Sequence, residues 1–184
     1  MQIGKFKIPS FELNEGDLLC LVLGGGAHFW GLEKRLVNLF SGKELHPSVK
    51  PFENIEFVKQ VHQSKIRNMF FSLTVDQYYK KHGILNHKIQ NQLFQIEGIE
   101  RKTKINRLPG NLKKWLSLFC TLSQSNNIIF DLVGQDPLGA RQTMKYVRQY
   151  VDEGGSAILL DNFDGNEPEC TKYYKIEIAE NFIS

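Results

Sequence analysis

A chain of 184 residues with 41% hydrophobic and 23% charged side chains, 13 of them Phe among the aromatics, can build one packed core and is excluded from the disordered, collagen-like and coiled-coil classes. Its formal charge of +3 is too mild to point to nucleic acid by itself. Three cysteines, Cys20, Cys120 and Cys170, have no metal-ligand spacing and make no disulfide framework, so they are expected as buried, reduced thiols.

The N-terminal stretch carries Glu12, Glu15 and Asp17 ahead of its first apolar run, unlike a secretory signal. That run, LLCLVL at 18–23, is far below the roughly 20 apolar residues a membrane helix needs, so a cytoplasmic protein is expected. Bounded by Glu15-Gly16 and Gly24-Gly25-Gly26, it reads as a strand buried on both faces. Leu32, Leu36, Leu39 and Phe40 then recur at helical spacing, and Gly42 closes the helix. IEFVKQV at 55–61 alternates and predicts another short strand. Thr74 with Gln77 forms a capping box before Tyr78 and Tyr79, with Gly83 as the stop. A second helix is expected over 86–97, with Ile89, Leu93 and Ile96 on one face. A third starts at Asn111 and carries Leu112, Trp115, Leu116, Phe119 and Cys120, which makes Trp115 a core residue.

Strand signals resume with Ile128-Ile129-Phe130 and end in Asp131. Asp136-Pro137 is a helix start, its stripe running through Ala140, Met144, Val147 and Val151 to Gly154-Gly155. Ala157–Leu160 gives a buried strand, and Tyr174, Ile176 and Ile178 alternate as one half-exposed strand. Strands and helices alternate at both ends around a helical block, which predicts an α/β sheet core (1–63 and 126–184) with an inserted helical subdomain (64–125) in one domain. Basic residues crowd between Arg101 and Lys114; they read as a solvated face, and a nucleic-acid surface with Trp115 nearby is the competing reading.

In order and spacing, these segments resemble the nucleotide-binding domain of ABC transporters in a shortened, degenerate form. EGDLLCLVLGGGAHFWGLEKRLVNLFSG resembles that family's strand, phosphate loop and first helix, and VKQ at 58–60 its glutamine loop. RLPGNLKKWLSLFCTLSQSNNIIFD resembles the signature loop, its helix and the acidic strand, while DPLGARQTMKYVRQYVDEGGSAILLDNFD resembles the ending. The resemblance implies a mixed-sheet core like that of P-loop NTPases.

It also implies a degenerate nucleotide site at Gly24, Gly25, Gly26, Ala27, His28, Gln60 and Asp131, with a signature-like loop at Leu108, Pro109, Gly110 and Asn111. A phosphate loop GxxxxGK[ST] needs glycine for close approach, lysine for charge and a hydroxyl for magnesium, whereas this chain has Phe29, Trp30 and Gly31 there. Backbone amides from Gly24 to His28 can form an anion nest, or the glycines simply make the turn; His28 is expected at the surface and the Trp30 indole in the phosphate space. Leu132 stands where the family has its catalytic glutamate, Phe163 where it has its switch histidine, and Pro109 where the signature serine would donate. No catalytic residue is therefore assigned and no ATP turnover is expected. The resemblance implies a structural or regulatory subunit, paired with a membrane permease, a second ABC ATPase or a second copy; an ATP- and magnesium-binding subunit is the alternative. Four close aromatics, Phe70, Phe71, Tyr78 and Tyr79, are read either as a docking patch near Gln60 or as core.

Overall fold

The computed structural model describes residues 1–61, 72–85 and 88–179. They divide into two compact units, one of Met1–Phe57, Asn126–Leu132 and Met144–Ser184, the other of Val58–Ser125 and Val133–Thr143.

In the first unit a hairpin, β1 (Gln2–Ile3) and β2 (Phe6–Lys7), precedes β3 (Leu18–Val22), whose five side chains are all buried. Helix α1 (Phe29–Phe40) follows, burying Phe29, Leu32, Leu36, Val37, Leu39 and Phe40 along one stripe. Strands β4 (Ile55–Phe57), β5 (Asn127–Phe130), β6 (Ser156–Asp161) and β7 (Lys172–Lys175) complete a sheet of order β4-β5-β6-β3-β7. Every pairing in it is parallel. Antiparallel pairing is confined to a three-stranded sheet, in which β8 (Glu177–Ile178) joins the hairpin in the order β1-β2-β8. The α/β class read from the sequence holds. Central strands β3 and β6 are continuous apolar runs because a parallel sheet is covered on both faces.

Two strand expectations need correction. The alternating run 55–61 pairs only over Ile55–Phe57; Val58 is buried, but beyond the strand end. The alternation through Tyr174, Ile176 and Ile178 is two strands in two sheets, since β7 ends at Lys175 and Ile176 leads across to β8. Alternation records which face is wet, and two sheet edges in succession give the same pattern as one strand.

Helix α2 (Val75–His82) lies in the second unit and starts in the expected capping box, with both Thr74 and Gln77 reciprocating. Helix α3 (Lys88–Leu93) is shorter than expected: the turns after it run through Ile96 and Ile99, and Gly98 takes φ +82°. Residues 86 and 87 of the expected helix lie outside the described residues. A 3₁₀ turn (Ile105–Arg107) leads to α4 (Gly110–Leu122), which packs α2 and α3. Tyr79 is fully buried and belongs to the core, while Tyr78 is half-buried; Phe70 and Phe71 lie outside the described residues. Helix α5 (Pro137–Asp152) begins as expected, the Gly139 amide donating to the Asp136 carboxylate at 2.8 Å. No helix among the described residues is long and apolar enough to cross a membrane.

Beyond α5 the chain turns so tightly that a Cβ on Gly155 would lie 2.2 Å from the Tyr150 ring, itself buried. Gly155→Ala is expected to lower unfolding free energy by about 1–3 kcal/mol, read as a lower urea midpoint. At the edge of the sheet Asp17 holds Lys172 at 2.6 Å and accepts from the Asn14 amide at 2.7 Å. Burial opposes its charge, yet these donors prevail and hold the carboxyl below its ordinary 3.8. That stability is complete above pH 3.8 and is lost as pH falls through the lower folded value. Asp17→Asn is expected to cost about 1 kcal/mol at pH 7, because solvent screens the pair, and the gap to the unmodified protein should close in acid.

Candidate functional site

Parallel strands β5, β6 and β3 are neighbours, so the segments leaving their carboxyl ends emerge on one edge of the sheet, where open α/β sheets place their ligands. Those segments begin with Asp131 after β5, Asn162 after β6 and the glycine loop after β3.

Gly24 and Gly26 take φ +73° and +125°, conformations that side chains with a Cβ rarely adopt, so glycine is required there for the backbone path itself. Gly25 approaches the Asn162 carbonyl, 3.7 Å from its Cβ direction. Ala27 is exposed. His28 lies in the loop as expected, but half-buried. Its imidazole folds back over the loop: Nε2 lies 3.1 Å from the Leu23 carbonyl, and the ring comes within 3.4 Å of the Cβ direction of Gly26 and 4.0 Å of that of Gly24. The ring is backed by Phe6 at a centroid distance of 4.9 Å. The group lying against the loop glycines is thus this imidazole.

Trp30 does otherwise than expected. It is 55% exposed, its ring edge-on to Phe29 at 5.4 Å. Phe29 is only 3% exposed and is the first buried residue of α1. The packing explains both positions, because the residue entering the helix stripe must be apolar while its neighbour points to solvent. The donor set does not fit a magnesium triphosphate: the helix start offers neither a cation at 30 nor a hydroxyl at 31, and an imidazole lies on the glycines. Among the described residues no group of His, Cys, Asp and Glu is placed to hold a metal ion.

Asp131 is 2% exposed at the end of β5, and Leu132 follows it half-buried. The sequence reading missed Asp161, also 2% exposed, which accepts from the Phe163 amide at 3.1 Å and from Asn166 Nδ2 at 2.6 Å and so fixes the turn after β6. A buried acid ending an apolar strand was its signal, present in ILLD. Phe163, on that turn, is 71% exposed.

The remaining candidates lie in the second unit. Gln60 is exposed and lines a cavity of about 160 Å³ together with Gly110, Lys113, Lys114 and Gly134. Leu108 is buried at 4%, Pro109 occupies the N-cap of α4, and Asn111 donates to Asp136 at 2.7 Å. The Gly139 amide and then Asn111 hold the Asp136 carboxyl below its ordinary range. One carboxylate therefore caps α5 and anchors the start of α4. Trp115 is half-buried rather than core, its indole donating to Thr143 at 2.9 Å. The basic run is not a uniform solvated face either: Lys114 is 5% exposed, and Arg101 lies over the Phe94 ring at 3.9 Å while pairing with Asp76 at 3.0 Å.

No family model matches the sequence, and no curated protein matches it. Solved structures do. An ATP-binding subunit of an ABC transporter aligns over 91% of this chain and 77% of its own, with 13% identity and a TM-score of 0.68. The protein cbiO1 of Clostridium perfringens, part of the ABC transporter complex cbiONQ, aligns over 91% and 76%, at 20% identity and a TM-score of 0.63. A nucleotide-free ATP-binding cassette from an ABC transporter aligns over 89% and 78%, at 16% identity and 0.62. The fold is that of an ATP-binding cassette. In a cassette fold, the edge at the carboxyl ends of β3, β5 and β6 is the natural place for a ligand, and there this chain presents an imidazole, an exposed indole and buried acids.

Proposed function

We propose that this chain is a degenerate ABC-type nucleotide-binding domain that does not turn over ATP and acts as a structural or regulatory partner of a membrane permease or of an active ABC ATPase. The observation that carries the reading is the loop after β3, where the His28 imidazole lies on the glycines that a phosphate would have to approach. The sequence supports it at each hydrolytic position: Trp30 for a cation, Gly31 for a hydroxyl, Leu132 for a carboxylate and Phe163 for a histidine. The fold supports the family, and the membership of cbiO1 in a transporter complex supports a permease as the class of partner. The surface beside Gln60 is the proposed docking face, and the chain is proposed to reside at the inner face of the membrane through that partner.

Affinity purification in mild detergent, with identification of what co-purifies, tests the partner. Recovery of a permease or a second ABC ATPase is expected, and recovery of nucleic acid alone would reverse the reading. Titration with ATP and magnesium tests the site. Saturable binding at micromolar nucleotide would instead favour an ATP-binding subunit.

A further inference from the structure

The mild charge of the whole chain conceals two opposite charges. Its second unit, Val58–Ser125 with Val133–Thr143, holds 13 Lys and Arg against four Asp and Glu, a formal +9, so the first unit carries −6. In that basic unit the chain leaves α2 through Lys80, Lys81 and His82, all exposed, and turns at Gly83 into Ile84 and Leu85, which are 48% and 50% exposed. Lys88 follows, exposed at the start of α3. No more than about 11 Å of chain separates Lys81 from Ile84, or Leu85 from Lys88, close to the screening distance of about 10 Å at 0.1 M salt. The backbone at this turn is pinned. A Cβ on Gly83 would lie 2.8 Å from the Tyr79 ring, and the Ile84 amide donates at 3.0 Å to Ser123 Oγ, which donates at 2.7 Å to the Cys120 carbonyl at the end of α4.

We propose that this loop is a membrane-contact tip: Ile84 and Leu85 enter the acyl boundary of an anionic bilayer, and Lys80, Lys81 and Lys88 engage its phosphate headgroups. An aliphatic pair rimmed by cations matches a surface that is anionic outside and apolar within. Asp76 does not cancel the rim, because that one carboxylate is shared by Lys80 at 2.7 Å and Arg101 at 3.0 Å. The kind of apolar side chain decides between a bilayer and the other common polyanion. Among the described residues, the large apolar side chains exposed by this unit are Ile84, Leu85 and Leu138, all aliphatic, while the exposed aromatics, Trp30 and Phe163, belong to the first unit. Single-stranded nucleic acid is held by aromatic faces on which its bases stack, and aliphatic side chains supply none.

The contact goes beyond the partner reading, since it needs a lipid surface and no permease. Purified protein is to be floated with vesicles at about 0.1 M salt. Partition into phosphatidylcholine vesicles containing about 30% phosphatidylserine should be at least about tenfold stronger than into phosphatidylcholine alone, and should weaken at about 0.5 M salt. Ile84→Asn combined with Leu85→Asn, at exposed sites, should leave the melting temperature within about 3 °C and weaken that partition about tenfold. Lys81→Glu with Lys88→Glu should remove the preference for anionic lipid. A Leu85→Trp variant should gain fluorescence quenching by brominated acyl chains relative to the unmodified protein. Equal partition into both vesicles, undiminished partition of the double Asn variant, no added quenching at position 85, or tighter binding of single-stranded polyuridylate than of the anionic vesicles would each overturn the proposal. A protein that ignores vesicles yet co-purifies with a permease would sink this inference and leave the partner reading standing.

Discussion

Phe29→Gly is expected to remove about 3–5 kcal/mol of unfolding free energy, while Trp30→Lys next to it removes about 1 kcal/mol or less. Phe29 is 3% exposed and opens the buried stripe of α1 that continues through Leu32, Leu36 and Phe40, so deleting its ring leaves a cavity in the core. Trp30 is 55% exposed and loses only its edge contact with Phe29, and lysine is the better helix former. Urea unfolding followed by circular dichroism at pH 7 reads both. With an m-value of about 2 kcal/mol/M, the first change lowers the midpoint by roughly 1.5–2.5 M and the second by at most about 0.5 M. Equal losses would mean that Phe29 does not anchor the helix. The result bears on the proposed function, because on that reading position 29 stands where a phosphate loop requires glycine for close approach. Here that position is committed to packing, so the binding motif cannot be restored without dismantling part of the core.

The same contrast explains what could be read from the sequence. Buried parallel strands announce themselves as runs such as LLCLV and SAILLD, helix starts as Thr74 with Gln77 and as Asp136-Pro137, and these are local signals that the fold leaves intact. The hairpin β1–β2 was silent, since two-residue strands carry too few side chains for a period. Long-range contacts were silent for a different reason. Nothing in the neighbourhood of His28 says that its ring turns back onto Gly24 and Gly26, because that requires Phe6 behind it and the Leu23 carbonyl in front. Cys170 likewise, expected to be buried, is half-buried in the folded chain, whereas Cys20 and Cys120 are enclosed. Composition and spacing identify which residues stand at the site; the folded chain decides which of them face the ligand edge.

Purified protein is expected to release no phosphate from ATP above an identically prepared Asp131→Asn control, and repair of the loop alone should not change that. Four substitutions, His28→Ser, Phe29→Gly, Trp30→Lys and Gly31→Ser, would lift the imidazole off the glycines and supply a cation and a hydroxyl. Nucleotide binding is the gain expected from them, measured by titration calorimetry at a temperature where circular dichroism shows the weakened variant still folded. Turnover needs more. On the proposed reading Leu132 stands where the carboxylate that polarises the attacking water would be, and a positioned general base typically contributes about a hundred-fold to ten-thousand-fold. Addition of Leu132→Glu to the four changes is therefore the first point in the series at which phosphate release should rise above background. On the same reading Phe163 replaces a histidine and Pro109 has no N–H to donate, so both should keep that rate low. The order is the test. Steady-state hydrolysis by the unmodified protein, abolished by Asp131→Asn, would show that this loop works as an ATPase site in a form its side chains do not suggest.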